Sequence, residues 1–139
     1  ETGPEKAAVL KGFLDSLPSK GVRVNLDPAN LVMVADDDPV QAVHTLKDYI
    51  VHTHAKDGIM KKKTDPERIY NSFAGEEQLR SADYFLETPL GEGSVDFSNY
   101  LKALETIGFN GFLTIEREVG EQPEKDIRMA VDFLRNLLK

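Results

Sequence analysis

Three carboxylates and one imidazole recur along this chain at spacings that could bring them to one place: Glu1, Asp27, His54 and Glu116. The first two intervals are 26 and 27 residues, close to the repeat of a strand–helix unit. The third is 62 residues, which a long excursion after His54 explains. Three carboxylate oxygens with one ring nitrogen form a hard site for one divalent cation. Mn²⁺, Mg²⁺ or Co²⁺ is favoured, and Zn²⁺ is admissible. Any one of the four, taken alone, is a strand-end polar group bonded to nearby backbone; their matching positions in successive units argue for a site.

The elements that would carry them read as alternating helices and strands. Ala7, Leu10, Leu14 and Leu17 recur at helical spacing over residues 4–17, and Thr2-x-x-Glu5 has the form of a capping box that opens this helix. VRVNLD (22–27) alternates as a strand, with Val22, Val24 and Leu26 on one face and Arg23, Asn25 and Asp27 on the other. A short helix capped by Asp38 follows, with Val40, Val43 and Leu46 as its stripe. YIVHTH (49–54) is the next strand, with Ile50, His52 and His54 on one face. Residues 58–94 form an excursion with helical turns expected over 66–73 and 76–84, and Gly91-Glu92-Gly93 is a turn. A helix over 97–106, a strand FLTIE (112–116) and a helix over 124–138 close the chain, the last with the stripe Ile127, Val131, Leu134 and Leu138.

Strands separated by helices run parallel, joined by right-handed crossovers. An open doubly wound sheet and part of a (β/α)8 barrel both fit. Each strand ends on a group that can bind metal, and barrel sites are built at the C-terminal ends of strands. Glu1 stands where a preceding strand would end. His52 shares the face of His54 one layer deeper, and Lys56 lies just past the strand, as a salt-bridged rim lysine or a contact for substrate oxygens. Glu118 has the parity of Glu116 and is an alternative ligand; Glu116 is preferred because it ends the apolar run.

The net charge of −7 argues against general nucleic-acid binding, which needs a basic face; Lys61–Lys63 is a solvated loop. No apolar run approaches the roughly 18 residues of a membrane span. Without cysteine there is no disulfide framework and no thiol chemistry. The cytoplasm is the expected compartment, with any targeting signal lying before Glu1.

ETGPE, VNLDPANLVM, VHTHAKDG, PLGEGSVDF and GFNGFLTIERE, in this order, resemble the xylose isomerase-like TIM-barrel superfamily. The match is to its sugar phosphate isomerase/epimerase branch, also called AP endonuclease family 2. The resemblance implies the C-terminal portion of a (β/α)8 barrel over residues 1–139, with the N-terminal half absent from this chain. It implies a divalent metal held by Glu1, Asp27, His54 and Glu116, with Glu1 and Glu116 flanking the reacting carbon as acid and base. It places Lys56, Asn30 and His52 toward a sugar or polyol substrate. Asn30 stands where the epimerases have a second histidine and Met60 where they have an arginine; both departures point away from ketose 3-epimerase activity in particular.

The expected activity is sugar or sugar phosphate isomerisation or epimerisation, by proton transfer beside a carbonyl through an enediolate. Alternatives are an inosose-type dehydratase on the same site and a non-catalytic sugar-binding or structural fragment. Cleavage of abasic DNA, which usually takes several metals and more than three histidines, is disfavoured. The segment alone is expected to be inactive, with open sheet edges that invite disorder or a homo-oligomer until the N-terminal half is supplied.

Overall fold

The computed structural model describes residues 1–75 and 79–139. Its elements are α1 (Ala7–Ser16), β1 (Val24–Leu26), α2 (Pro28–Asn30), a π-helical turn (Leu31–Ala35), α3 (Pro39–Thr45) and β2 (Ile50–Ala55). Then come β3 (Asp57–Met60), α4 (Pro66–Phe73), a 3-10 turn (Ser81–Asp83), β4 (Phe85–Thr88), α5 (Phe97–Thr106), β5 (Leu113–Ile115) and α6 (Pro123–Leu137). β1, β2 and β5 form a parallel sheet in the order β1-β2-β5. Helices α1, α3, α5 and α6 pack on one face of it through Leu14, Val43, Tyr100 and Leu134 against Val24, Leu26 and Ala55. This is the α/β arrangement of part of a (β/α)8 barrel. Among the described residues no helix is long and apolar enough to cross a membrane.

Local chemistry accounts for most helix ends. Asp38 accepts from the backbone N–H groups of Val40 and Gln41 at the start of α3, and Asp65 and Asp96 cap α4 and α5 in the same way. Gly108, at φ +73°, follows α5 in the left-handed conformation. The capping box expected at Thr2 does not form. α1 begins at Ala7, whose N–H is met by Asp37 Oδ2 at 2.8 Å. Thr2 is buried instead, its N–H donating to Asn25 O at 3.0 Å and its hydroxyl to Asp27 O. A distant strand thus outbids the local cap.

The strands are shorter than their sequence pattern, and one contains a bulge. Val22 and Arg23 precede β1 and are exposed. Val24 pairs with Ile50, but Asn25 pairs with His52. The extra residue, Val51, is 57% exposed. Ile50 consequently joins Val24 and Leu26 on the helix side, not His52 and His54 as strict alternation predicts. In α6 the buried positions are Ala130 and Leu134, whereas Ile127 and Leu138 are exposed. The Phe133 ring on the same helix meets Phe97 edge-on at 5.6 Å over Gly91.

The excursion holds more order than its sequence suggests. β3 and β4 form an antiparallel ribbon pairing Asp57 with Thr88 and Met60 with Phe85. α4 lies where expected; of the helix expected over 76–84, residues 76–78 fall outside the described residues, and the rest contains only the 3-10 turn. A second apolar cluster, Ala29, Met33, Val34 and Ile69, packs this region onto the turn after β1.

One buried carboxylate ties the excursion to the sheet. Asp57 Oδ1 accepts from the N–H groups of Gly58 and Val95, and Oδ2 from those of Gly91 and Gly93, at 2.8–3.1 Å. The Gly91–Gly93 turn therefore wraps this carboxylate. A Cβ on Gly93 would lie 2.1 Å from Asp57 Oδ1 and 2.5 Å from Gly58 N, closer than atoms can approach. Gly93→Ala is expected to cost about 1–3 kcal/mol, as overpacking does, read as a lower urea midpoint. A wild-type midpoint would show that the turn shifts freely.

Candidate metal centre

β1, β2 and β5 each deliver one side chain to the face opposite the helices, and Thr2, paired with β1, brings Glu1 beside them. Asp27 is fully buried at the end of β1. Its two oxygens are divided between tasks. Oδ1 caps α2 by accepting the Asn30 N–H at 2.9 Å, a geometry that Pro28 at the first helical position favours. Oδ2 is thereby turned toward His54 Nδ1, 3.0 Å away.

His54 Nδ1 also lies 3.4 Å from Glu116 Oε2 and 3.8 Å from Glu1 Oε1. The four donor atoms of Glu1, Asp27, His54 and Glu116 all fall within 4.8 Å of one another. Donors on opposite sides of one ion are separated by about twice a metal–ligand distance, roughly 4–5 Å, so the cluster has the size of a single cation site. Its charge fits as well. Three carboxylates gather here, and Lys56 answers part of that charge through Glu116. A divalent ion would offset most of the remainder.

The electrostatics show the strain of gathering these groups. The Asp27 hydrogen bond raises the His54 pKa above its ordinary value against the lowering effect of burial, with the Glu116 and Glu1 charges adding to the rise. Burial raises the Glu1 pKa, helped by the charges of Asp27 and Glu116. Burial works to lower the Lys56 pKa, but hydrogen bonds to Glu118 and Glu116 outweigh it and hold the ammonium charged.

Lys56 is buried, not a rim residue. Its Nζ donates to Glu116 Oε2 at 2.9 Å and to Glu118, and stands 3.6 Å from Glu87 Oε2. Glu118 is thus occupied with Lys56, and Glu116 is the carboxylate that enters the cluster. Asn30 faces the same cleft, and its Nδ2 donates to Glu1 Oε1 at 2.8 Å and to Thr2 O at 3.0 Å. His52 lies below the site: it meets Thr114 Oγ1 at 2.8 Å, stands edge-on to the His54 ring, and does not line the cleft.

The cleft above the cluster has a volume of about 870 Å³. Glu1, Asn30, Lys56 and Glu116 form its polar floor, and Met33, Tyr70, Phe73 and Phe85 belong to its apolar wall. Burial, with the Glu1 charge, pushes the Tyr70 hydroxyl up to about 12, which keeps it a neutral donor. Sequence pattern alone does not reveal Thr2, Tyr70 or Glu87 as parts of this region. Glu87 Oε1 accepts from Arg117 Nη1 and the Glu118 N–H at 2.8 and 3.0 Å, and Arg117 also reaches Asp126 of α6. That brace holds the chain just past Glu116. The single available signal was the charge alternation Glu116-Arg117-Glu118.

Residues 2–137 match the family model described as xylose isomerase-like TIM barrel. A xylose isomerase domain protein from Planctomyces limnophilus is 29% identical, with a TM-score of 0.76 over 98% of this chain and 44% of its own. A D-tagatose 3-epimerase-like protein shares the fold at 20% identity and a TM-score of 0.61, over 95% of this chain and 42% of its own. An inosose dehydratase of Lacticaseibacillus casei is 24% identical over 117 residues, 84% of this chain and 37% of that enzyme. The chain therefore spans less than half the length of the relatives it matches.

Proposed function

Because this chain belongs to the xylose isomerase-like TIM-barrel family, we propose that it supplies the metal centre of a sugar or sugar phosphate isomerase or epimerase. The observation that carries this reading is the convergence of Glu1, Asp27, His54 and Glu116 on one point, with Glu1 and Glu116 opening onto the cleft. These four would hold a single divalent ion, Mn²⁺, Mg²⁺ or Co²⁺ by their mostly oxygen donors. When bound, it would act as a Lewis acid toward a substrate carbonyl and its neighbouring hydroxyl.

The remaining work falls to side chains. One of Glu1 and Glu116 takes the proton from the carbon beside the carbonyl, and the other returns one. Lys56 fixes the Glu116 carboxylate by its 2.9 Å hydrogen bond. Two of its three N–H donors serve Glu116 and Glu118; the third, which has the looser Glu87 contact at 3.6 Å, would turn to a substrate oxygen. Asn30 fixes Glu1 in the corresponding way. The apolar wall limits the access of water to the reacting carbon.

The similarity to an inosose dehydratase supports a second reading, in which the same proton abstraction is followed by loss of hydroxide from a cyclic polyol. Product analysis on ketoses and inososes separates the two. The metal centre common to both is tested by elemental analysis of the intact protein and of its Asp27→Ala and His54→Ala variants. Wild-type protein is expected to carry about one ion per chain and both variants to lose it. Equal metal content in all three would overturn the assignment.

A further inference from the structure

Behind His54, on the side away from the carboxylates, lies Asn25. Its Nδ2 donates to His54 Nε2 at 3.0 Å, while its Oδ1 is buried and has no hydrogen-bond partner among the described residues. An idle buried carbonyl oxygen is costly, and this one belongs to the carboxamide already in contact with the imidazole. With Nε2 accepting, the ring proton sits on Nδ1 and is donated to Asp27 Oδ2. An ion held by the four donors would need the Nδ1 lone pair, because Nδ1 faces all three carboxylates. The ring proton must then reside on Nε2, which becomes a donor and requires an acceptor.

We infer that Asn25 is the positioning residue of the metal centre, presenting its Oδ1 to His54 Nε2–H and so holding the imidazole in the tautomer that ligates through Nδ1. A half-turn of the carboxamide exchanges Oδ1 for Nδ2 at the same place. It trades one hydrogen bond for another, with Nδ2 taking the partnerless place that Oδ1 now holds, and breaks no other hydrogen bond described for that side chain. Asn25 can therefore serve either tautomer, as a donor to the metal-free ring and an acceptor from the ligating one. Its place is fixed by the sheet: its own carbonyl accepts the Thr2 N–H, and the bulge at Val51 sets it opposite His52. From there the carboxamide leans to His54. Groups that hold the far nitrogen of a ligating histidine are typically worth about 10–100-fold in metal affinity.

The inference rests on the metal centre proposed above, and the test separates the two. Zn²⁺ affinity is measured by calorimetry on the intact protein and on Asn25→Leu and Asn25→Asp. Long-range proton–nitrogen correlation spectra of the histidine rings are recorded on the Zn²⁺-loaded wild type. Asn25→Leu, which has no acceptor, is expected to weaken binding about 10–100-fold. Asn25→Asp, which keeps the acceptor and the shape, should bind within a few-fold of wild type, and the spectra should show His54 protonated at Nε2 with Nδ1 on the ion. Equal affinity of Asn25→Leu and wild type, or equal weakening in both variants, would overturn the role of Asn25 while leaving the metal centre standing. So would a His54 ring ligated through Nε2, a result that needs no variant to fold. Failure of the wild type to bind Zn²⁺ would overturn the metal centre and this role with it.

Discussion

Replacing Glu116 with glutamine in the intact protein is expected to slow turnover by about 10²–10⁴-fold, the usual cost of losing a general base, with much less effect on substrate binding. The change is almost isosteric. A glutamine keeps an oxygen to accept the Lys56 hydrogen bond, 2.9 Å long in the structure, so the side chain should stay where it is. What it loses is the ability to take a proton. Its neutral oxygen still offers a weak ligand toward the position that His54 Nδ1 faces at 3.4 Å. The direct measurement is deuterium uptake from solvent at the carbon beside the carbonyl. Exchange should track turnover in the wild type, and both should fall together in Glu116→Gln. A variant that forms product at the normal rate without exchange would eliminate proton transfer through Glu116. The dehydratase reading makes the same demand on this carboxylate, so the experiment tests the base and product analysis tests the fate of the carbanion.

Asp57→Ala should be among the most damaging single substitutions for stability, with an expected loss of about 3–5 kcal/mol, as when one side of a buried charged network is removed. Four backbone N–H groups, those of Gly58, Gly91, Gly93 and Val95, converge on this carboxylate. Each would be left short of an acceptor, at about 1–3 kcal/mol for a donor that stays dry. Water can reach some of them, which keeps the total below the full sum. Asp57→Asn is the informative companion. It retains one acceptor oxygen but turns an NH₂ group toward two of the donors, so it should be intermediate. Urea midpoints of the intact protein decide the matter. A loss under about 1 kcal/mol for Asp57→Ala would mean that the turn is held by other contacts. Because Asp57 follows Lys56 directly, loosening this turn should also disturb the Lys56–Glu116 pair and lower turnover.

Sequence by itself determined the parallel α/β architecture and the four donors that meet at the candidate metal centre. Asp27, His54 and Glu116 were legible because period-two alternation and a strand end are local properties, expressed within five or six residues of each group. The helices at 39–45, 66–73 and 97–106 were legible for a similar reason: Asp38, Asp65 and Asp96 satisfy the first backbone N–H groups from within the same turn. Tertiary structure decided whatever depended on partners far away in the chain. Thr2 looked like a cap for the helix beside it, yet its hydroxyl binds the backbone of Asp27, 25 residues distant. The bulge at Val51 moved Ile50 to the opposite face, because register is set between strands and not within one. β3 was read as loop because its pairing partner lies beyond α4. Lys56 and Asp57, adjacent in sequence, were separated in role only by what came to surround them: carboxylates from the chain after β5 for the lysine, and the N–H groups of a glycine turn for the aspartate. A buried charge takes its function from the groups that neutralise or solvate it, and here those groups are brought to it by the fold.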